Sequence, residues 1–371
     1  APSPFLALRV LSTAAVMTMV TSIAAPAFAD AYGIALYGTH YLDQGNITVE
    51  VRGGQYYVND VLDDDGPVII KNHEDESDTT SVSNTITIHA EDGEANVTLK
   101  DVDIVTNGEA NKSGITVKAD KTKTATATVN VTLDNVTVDA REDASSEGAT
   151  GGAGMTIQGN GVVNIELDGK NELLAGDGHA GLEKNRTESV GSLNINDSNE
   201  DGGSLTAIGG DGGAGIGGGK GDMGSGLYIL NGTVNAYGKG GGAGIGGGDG
   251  AGAHMVGLNA GVPGVNDAYE PTATAVGSEG AAGIGGGKGG RLTDAVLSSG
   301  TLTGTMETLE YLQAHGAQTI VFTTSQRTSS FQISDLLALA DEGDVFYLTH
   351  TEANEPTLLV VTSDHTDLLE G

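Results

Sequence analysis

The chain has 371 residues, with 17 Lys and Arg against 50 Asp and Glu, so its formal net charge is −33 at pH 7. This charge argues against nucleic acid as a partner, because few cations remain to neutralise phosphates, and binding of an acidic polymer would need bridging metal ions. Aromatic residues are only 4% of the chain, Gly occupies 60 positions and Cys is absent, which disfavours an ordinary layered core and excludes disulfides and thiolate metal sites.

The N-terminal segment has the features of an export signal. Arg9 precedes an apolar stretch at residues 11–25, and Ala-Phe-Ala at 27–29 fits a small-residue cleavage site. We predict a signal peptide over residues 1–29 and a secreted, extracellular protein, with cell-surface association as a further expectation. A membrane anchor is the alternative, but the apolar stretch is short for a spanning helix. We predict no transmembrane segment in the mature chain.

Residues 84–300 carry a glycine-rich repeat. The string GAGIGGG occurs at 213–219 and 242–248, and AGIGGG returns at 282–287. A triplet of a small residue, Gly and an apolar residue also recurs, with the apolar residue at Ile115, Met155, Leu182, Ile216, Ile245 and Ile284. Intervals of roughly 30 residues between such triplets are typical of solenoids. Each interval contains two segments in which apolar and polar residues alternate, which predicts strands.

These repeats predict an all-β fold, a parallel β-helix with three short strands per coil. No single repeat can bury its own apolar face, whereas stacked repeats can, each adding about 4.8 Å along the axis. Within each triplet, the Ile is predicted to fill the coil interior and the Gly to allow close contact between coils. The predicted structural residues are Gly215, Ile216, Gly244, Ile245, Gly283 and Ile284. Strands in residues 30–83 are predicted to cap one end.

After about residue 300 the pattern changes. TMETLEYLQAHG and DLLALADEG predict two short helices, whereas QTIVFTT, DVFYLTH and PTLLVVT predict strands. We therefore predict a small C-terminal α+β module over residues 301–371, truncated at Gly371.

The stretch at 213–218 also fits the G-x-G-x-x-G pattern of dinucleotide-binding loops. That use requires a strand, the glycine turn and then a helix. Here the motif recurs, and more glycine and the strand LYIL follow it. We therefore predict no nucleotide cofactor and interpret these glycines as the corner of a coil.

An acidic turn raises the question of calcium. Asp197, Asn199 and Asp201 match the first half of an EF-hand loop, but the twelfth position is Ile208, where the motif requires Glu. Two interpretations stay open, a Ca²⁺ half-site at these three residues and a polar turn between strands, of which the turn is favoured.

Catalysis is a weaker alternative. Inverting hydrolysis needs two separated carboxylates, and a polysaccharide lyase needs a base beside its uronate. Asp177 and His179 lie close together in AGDGHAG, but no further acidic pair accompanies them. The chain is predicted not to be an enzyme, with a lyase or glycoside hydrolase as the alternative.

Tyrosines are the candidates for sugar contact, because they combine a flat apolar ring with a hydroxyl group. Tyr228 and Tyr237 flank the segment 227–237, and Tyr269 lies on a predicted inserted loop. For each of them, an exposed tyrosine on a solenoid face is the alternative interpretation.

The strings LNINDSNEDGGSLTAIGGDGGAGIGGG and NGTVNAYGKGGGAGIGGG lie within a region, roughly residues 84–290, that resembles a known family. It is similar to the right-handed β-helical carbohydrate-binding domains of secreted and surface proteins from anaerobic Gram-positive bacteria. The resemblance implies a right-handed β-helix that binds polysaccharide without catalysis, with pectin-like acidic glycans as partners and Ca²⁺ assisting. No individual calcium ligand carries over by position. A structural or adhesive stalk of a surface protein is the alternative function.

Overall fold

The computed structural model describes residues 38–64, 66–75, 77–122, 125–141, 150–258 and 272–289, the strands that follow them, and residues 310, 334, 337 and 338. The predicted signal peptide over 1–29 and Tyr269 lie outside the described residues. Thirty strands, numbered in chain order, occur in the described part and form three sheets. A 3-10 helix spans Leu42–Gln44.

Sheet A has eleven strands. In spatial order they are β1 Gly38–Tyr41, β5 Val68–Lys71, β7 Glu94–Lys100, β10 Thr128–Asp134, β13 Val162–Asp168, β16 Ser192–Asn196, β19 Gly224–Ile229, β22 Ala253–Leu258, β25 Ala295–Leu297, β27 Thr319–Thr323 and β28 Thr328–Gln332.

Sheet B has ten strands. In spatial order they are β4 Val61–Asp63, β3 Gln55–Val58, β2 Ile47–Arg52, β6 Ile86–Ala90, β9 Ile115–Ala119, β12 Met155–Gln158, β15 Leu182–Glu183, β18 Ile216–Gly217, β21 Ile245–Gly246 and β24 Ile284–Gly285.

Sheet C has nine strands. In spatial order they are β8 Asp103–Val105, β11 Thr137–Ala140, β14 Lys170–Ala175, β17 Ser204–Asp211, β20 Thr233–Lys239, β23 Thr272–Val276, β26 Gly300–Thr305, β29 Val345–His350 and β30 Thr357–Val361.

From β6 to β26 the chain visits sheets B, A and C in turn, and each strand pairs in parallel with its counterpart in the next coil. The predicted parallel β-helix with three strands per coil is thereby confirmed. The apolar residues of the repeated triplet stack in one column of sheet B, which also includes Ile47 and Ile86. Ile216 and Ile245 in this column are about 1% exposed and Ile284 is 7% exposed, so they fill the coil interior.

Parallel stacking starts earlier than residue 84, where the sequence placed the start of the β-helix. β1 pairs in parallel with β5, and β2 pairs in parallel with β6. Sheet B ends instead in the antiparallel strands β3 and β4, which bond to β2 and to each other. Residues 38–83 therefore contribute to the stack as well as closing one edge of it.

The C-terminal strands close the other ends of two sheets. β29 and β30 extend sheet C in antiparallel order, and β27 and β28 form an antiparallel pair in sheet A. The three strands predicted from sequence match β27, β29 and β30. Most residues of the two predicted helices lie outside the described residues, so the α+β module stays a prediction. No helix in the described part of the chain is both long and apolar enough to cross a membrane.

Candidate functional site

The outer face of sheet C presents an apolar stripe to solvent. In a strand, successive side chains point to opposite faces, and in β17 and β20 the residues alternate between buried and partly exposed. Ile208 pairs with Tyr237, which pairs in turn with Val276. All three side chains are partly exposed and lie on the outer face.

A row of uncharged polar residues runs beside this stripe. Thr206 pairs with Asn235, which pairs with Thr274. Ser204 and Thr233 form the next pair outward. Together with the stripe these side chains define the Tyr237 face, which consists of Ser204, Thr206, Ile208, Thr233, Asn235, Tyr237, Thr274 and Val276. None of its members is charged, in a chain whose net charge is −33.

The polar groups of the Tyr237 face are free to bind. Within the described part of the chain, the side chains of Thr206, Asn235 and Thr274 form no hydrogen bond, and neither does the hydroxyl of Tyr237. A partly exposed donor or acceptor that lacks a protein partner bonds to water, and a ligand hydroxyl can replace that water.

Sheet A shows the opposite arrangement on its outer face. Asn130 donates to Asn96 Oδ1 at 2.8 Å, Asn164 donates to Asn130 Oδ1 at 2.7 Å, and Asn194 donates to Asn164 Oδ1 at 2.8 Å. This asparagine ladder satisfies its own amides, and both Asn164 and Asn194 are 4% exposed. Its polar groups therefore hold coils together and are not available to a ligand.

The predicted sugar-contact tyrosines lie on different sheets. Tyr228 pairs with Asn194 in sheet A, at the next position after the asparagine ladder, whereas Tyr237 lies in sheet C. Burial raises the pKa of the Tyr228 hydroxyl. The two rings cannot form one platform, because the chain turns from one sheet to the other between β19 and β20. Tyr269 lies outside the described residues.

Sequence reasoning missed the neighbours of Tyr237. A signal for them was present, because LTAIGG, VNAYGK and ATAVGS occupy equivalent positions in successive repeats. Aligning them places Ile208, Tyr237 and Val276 in one column.

The acidic turn at 197–202 connects β16 to β17. Asp197 is 5% exposed, and its Oδ2 accepts a hydrogen bond from Gly203 N at 3.1 Å. Asn199 Nδ2 donates to Asp168 Oδ1 at 3.1 Å. Ser198 donates to Glu166 Oε1 at 2.7 Å through its hydroxyl. The turn is thus tied to the end of the neighbouring strand β13.

Carboxylates around this turn are held close to one another. Burial raises the pKa of Asp168 and of Asp197, and the charge of Asp201 raises both further. Burial likewise raises the pKa of Glu166. Among the residues that the structure describes, Asp197 Oδ1 and Glu166 Oε2 are buried without a hydrogen-bond partner. Ionised carboxylates in this turn therefore repel one another.

These contacts involve two of the three residues of the predicted Ca²⁺ half-site, Asp197 and Asn199. Two orphaned carboxylate oxygens would suit a cation. Asn199, however, turns its amide NH₂ toward Asp168, and its Oδ1 accepts a hydrogen bond from Asp201 N at 3.3 Å, so its ligating oxygen is already engaged. Within the described ranges, no group of three or more His, Asp or Glu side chains has an arrangement that could hold a metal ion. The residues of this turn do not fit Ca²⁺ as placed, and their contacts favour the polar turn between strands. Calcium assistance in glycan binding stays a prediction.

The Asp177–His179 segment forms a structural contact. His179 Nδ1 lies 3.0 Å from Glu183 Oε2, and its Nε2 lies 3.1 Å from Asn111 Oδ1. The buried Glu183 raises the pKa of His179 through this hydrogen bond. Asp177 Oδ1 instead accepts a hydrogen bond from Asp211 N at 3.1 Å. Both ring nitrogens of His179 are engaged, one by Glu183 four residues later in the same coil and the other by Asn111 in an earlier coil.

In comparisons with known proteins, no family model matches this chain, no curated protein matches it, and no solved structure matches it.

Proposed function

We propose that this protein is a non-catalytic, polysaccharide-binding β-helix, secreted or displayed at a cell surface, and that the Tyr237 face is its binding surface. The observation that supports this proposal most directly is the uncharged Tyr237 face on the outside of sheet C. There, an apolar and aromatic stripe runs beside hydroxyl and amide groups that have no partner in the described part of the chain.

The chemistry of this face matches that of a sugar chain. A pyranose ring has apolar C–H faces that pack on an aromatic ring, and hydroxyls at its rim that exchange hydrogen bonds with Thr and Asn side chains. The stripe and the polar row repeat from coil to coil, with adjacent strands about 4.8 Å apart. A regularly repeating surface favours a linear polymer with a repeating unit as its ligand.

The family resemblance extends this proposal to a pectin-like acidic glycan assisted by Ca²⁺. An acidic glycan is repelled by a protein with a net charge of −33 unless salt or a divalent cation screens the two charges. The uncharged Tyr237 face itself requires no cation for contact. Calcium dependence is therefore a separate question from the location of the binding surface.

The test is affinity electrophoresis of the mature chain in gels that contain cellulose derivatives, xylan, galactan or polygalacturonate, each with Ca²⁺ and with EDTA. We expect retardation by at least one glycan. Tyr237→Ala should weaken binding about tenfold or more, because a central aromatic contact carries a large share of the binding energy.

Tyr228→Ala is the matched control, because it removes the same side chain from a different sheet. It should bind like the unmodified protein. Equal binding by the Tyr237→Ala and unmodified proteins would contradict the assignment of the face. Absence of binding to every glycan under both conditions would overturn the proposed function and favour the structural stalk.

A further inference from the structure

The chain contains three Asn-Gly dipeptides, at residues 107–108, 160–161 and 231–232. Such a dipeptide can rearrange without an enzyme, because the backbone nitrogen of the glycine can attack the side-chain amide carbon of the asparagine. Glycine favours this attack, since it has no Cβ to crowd the approach and its backbone rotates freely. The three dipeptides are equivalent in sequence and differ only in their structural surroundings.

The dipeptide at Asn160 is held by two hydrogen bonds. Val190 N donates to Asn160 Oδ1 at 3.1 Å, and Gly161 N donates to Ala119 O at 2.8 Å. A Cβ on Gly161 would overlap the carbonyl oxygen of Ala127, so the backbone here is closely packed. The attacking nitrogen and the amide that it would attack are therefore both engaged by neighbouring residues.

The dipeptide at Asn231 is held in a different way. Asn231 Nδ2 donates to Asp197 O at 2.7 Å, and Gly232 N donates to Asn231 Oδ1 at 2.8 Å. The nitrogen that would attack thus gives its proton to the oxygen of the same side chain. The amide nitrogen that would leave is bonded to the turn at 197–202, in the preceding coil.

The dipeptide at Asn107 lies in an exposed turn that follows β8. Asn107 and Gly108 have φ values of +56° and +69°, and Asn107 is exposed. Within the described part of the chain, the Asn107 side chain forms no hydrogen bond and Gly108 N has no backbone partner. The turn is closed by a long bond from Glu109 N to Thr106 O at 3.5 Å. An exposed turn with so few bonds opens at a small cost in free energy.

We propose that Asn107 is a site of spontaneous deamidation in the folded protein and that Asn160 and Asn231 are protected from the same reaction. Gly108 N attacks Asn107 Cγ, so that an N–Cγ bond forms, the Cγ–Nδ2 bond breaks, and the proton of Gly108 N leaves with the ammonia. Water then opens the cyclic succinimide at either carbonyl, which gives aspartate or isoaspartate. The only co-reactant is water. Each event adds a carboxylate to a chain of charge −33.

This modification site is separate from the Tyr237 face and does not rest on the proposed function. β8 is the last strand of sheet C, and β11 and β14 separate it from the strands that present the Tyr237 face. Glycan binding can therefore succeed or fail without bearing on the chemistry of Asn107.

Incubation of the mature chain at pH 8, followed by peptide mass spectrometry over time, tests the proposal. Asn107 should deamidate at least about tenfold faster than Asn160 or Asn231, because hydrogen bonds must break first at the other two sites. The product at position 107 should contain both aspartate and isoaspartate. Asn107→Gln should abolish modification at this position and leave the rates at Asn160 and Asn231 unchanged, because the longer side chain closes a larger ring far more slowly.

The same chain unfolded in guanidinium chloride is the matched control. Without the hydrogen bonds of the fold, the three dipeptides should react at similar rates. Equal rates in the folded chain would overturn the proposal. So would a preference for Asn107 that persists in guanidinium chloride, because the local sequence and not the fold would then set the rate. Aspartate without isoaspartate at position 107 would exclude the succinimide route.

Discussion

Around Val138 the interior of the β-helix is filled by branched side chains, whereas around Ala236 it is filled by alanine. The inner column of sheet C contains Ile104, Val138, Leu173, Ala207, Ala236 and Ala275, in that order. We refer to the coils up to residue 175 as the wide coils and to those from residue 204 as the narrow coils. The same three-sheet plan thus accommodates two cross-sections.

The glycine of the repeated triplet shows how the two cross-sections differ. A Cβ on Gly114, in the wide coils, would overlap the Val138 side chain. A Cβ on Gly215, in the narrow coils, would instead overlap the backbone nitrogen of Tyr237. Sheets B and C are therefore separated by side chains at one end of the stack and touch through backbone at the other.

The strands of sheet B are shorter in the narrow coils than in the wide coils. β6 and β9 have five residues each, whereas β18, β21 and β24 have two. Gly217 and Gly246 end two of these short strands with φ values of +134° and +141°, which disfavour any residue other than glycine. Narrow coils thus depend on glycine for their turns as well as for their packing.

Adding a methyl group to the triplet glycine tests this comparison most strongly. Gly215→Ala should lower the free energy of unfolding by about 3 kcal/mol or more, because backbone cannot rotate away from the added carbon. Gly114→Ala should cost about 1 to 2 kcal/mol, because the Val138 side chain can shift. Urea denaturation followed by circular dichroism measures both. Equal losses would show that the two cross-sections are equally tight.

The asparagine ladder reinforces the outside of the wide coils. Asn164→Ala should cost about 2 kcal/mol, because it leaves the Asn130 oxygen and the Asn194 amide unpaired next to a buried position. Asn235→Ala is the control on the narrow coils and should change stability by less than about 0.5 kcal/mol. Urea denaturation followed by circular dichroism measures the loss of stability in both variants. A large loss in Asn235→Ala would indicate that the Tyr237 face has a structural role.

Lys184 lies at the junction between the wide and narrow coils. Burial lowers its pKa to about 8, so between pH 8 and 10 the unfolded chain binds more protons than the folded one. This lysine therefore makes the protein more stable as pH rises through that window. Relative to Lys184→Met, the unmodified protein should gain on the order of 2 kcal/mol in its free energy of unfolding between pH 7 and 10. If the stability difference between the unmodified protein and Lys184→Met were the same at pH 7 and pH 10, a buried lysine at this position would be contradicted.

His179 gives the same junction the opposite pH dependence. Glu183 raises its pKa above the usual 6.5, so the stabilisation is complete below pH 6.5 and is lost as pH rises through the raised value. His179→Gln should therefore cost about 1 kcal/mol near pH 6 and less near pH 8. Thermal melts at both pH values measure the difference. Glu183→Gln should abolish this dependence, and its persistence would implicate another group.

The smallest change in stability is expected from a substitution beside the acidic turn. Asp168→Asn removes one of the repelling carboxylates, so stability at pH 7 should rise by about 0.5 kcal/mol. A folded-state pKa raised by burial and repulsion destabilises the protein only when the acid ionises, so the gain should vanish as pH falls below 4. Thermal melts of both proteins at pH 4 and pH 7 measure this gain in stability. A loss of stability at pH 7 would mean that the hydrogen bond from Asn199 outweighs the repulsion.

The fold was largely predictable because each triplet repeats a local requirement. Ile216, Ile245 and Ile284 stand at matching places in the sequence, and matching places in a stack become neighbours. The start of the stack was predicted too late, because the strands at Ile47–Arg52 and Val68–Lys71 lack the glycine triplet while still alternating apolar and polar residues.

The candidate site was only partly predictable. Tyr237 was identified from its residue type, but Tyr228 received equal weight because the sequence does not say on which sheet each ring lies. The contribution of Thr206, Asn235 and Thr274 depends on cross-strand register.

The sequence by itself determined the repeat, the parallel stacking and the interior residues, since burial of alternating apolar residues and the conformational needs of glycine act locally and recur in every coil. Only the tertiary structure decided which polar groups are satisfied by neighbours and which face solvent. The asparagines of sheet A and the Tyr237 face of sheet C come from similar strand sequences, but their hydrogen bonds depend on residues roughly 30 positions away in the adjacent coil.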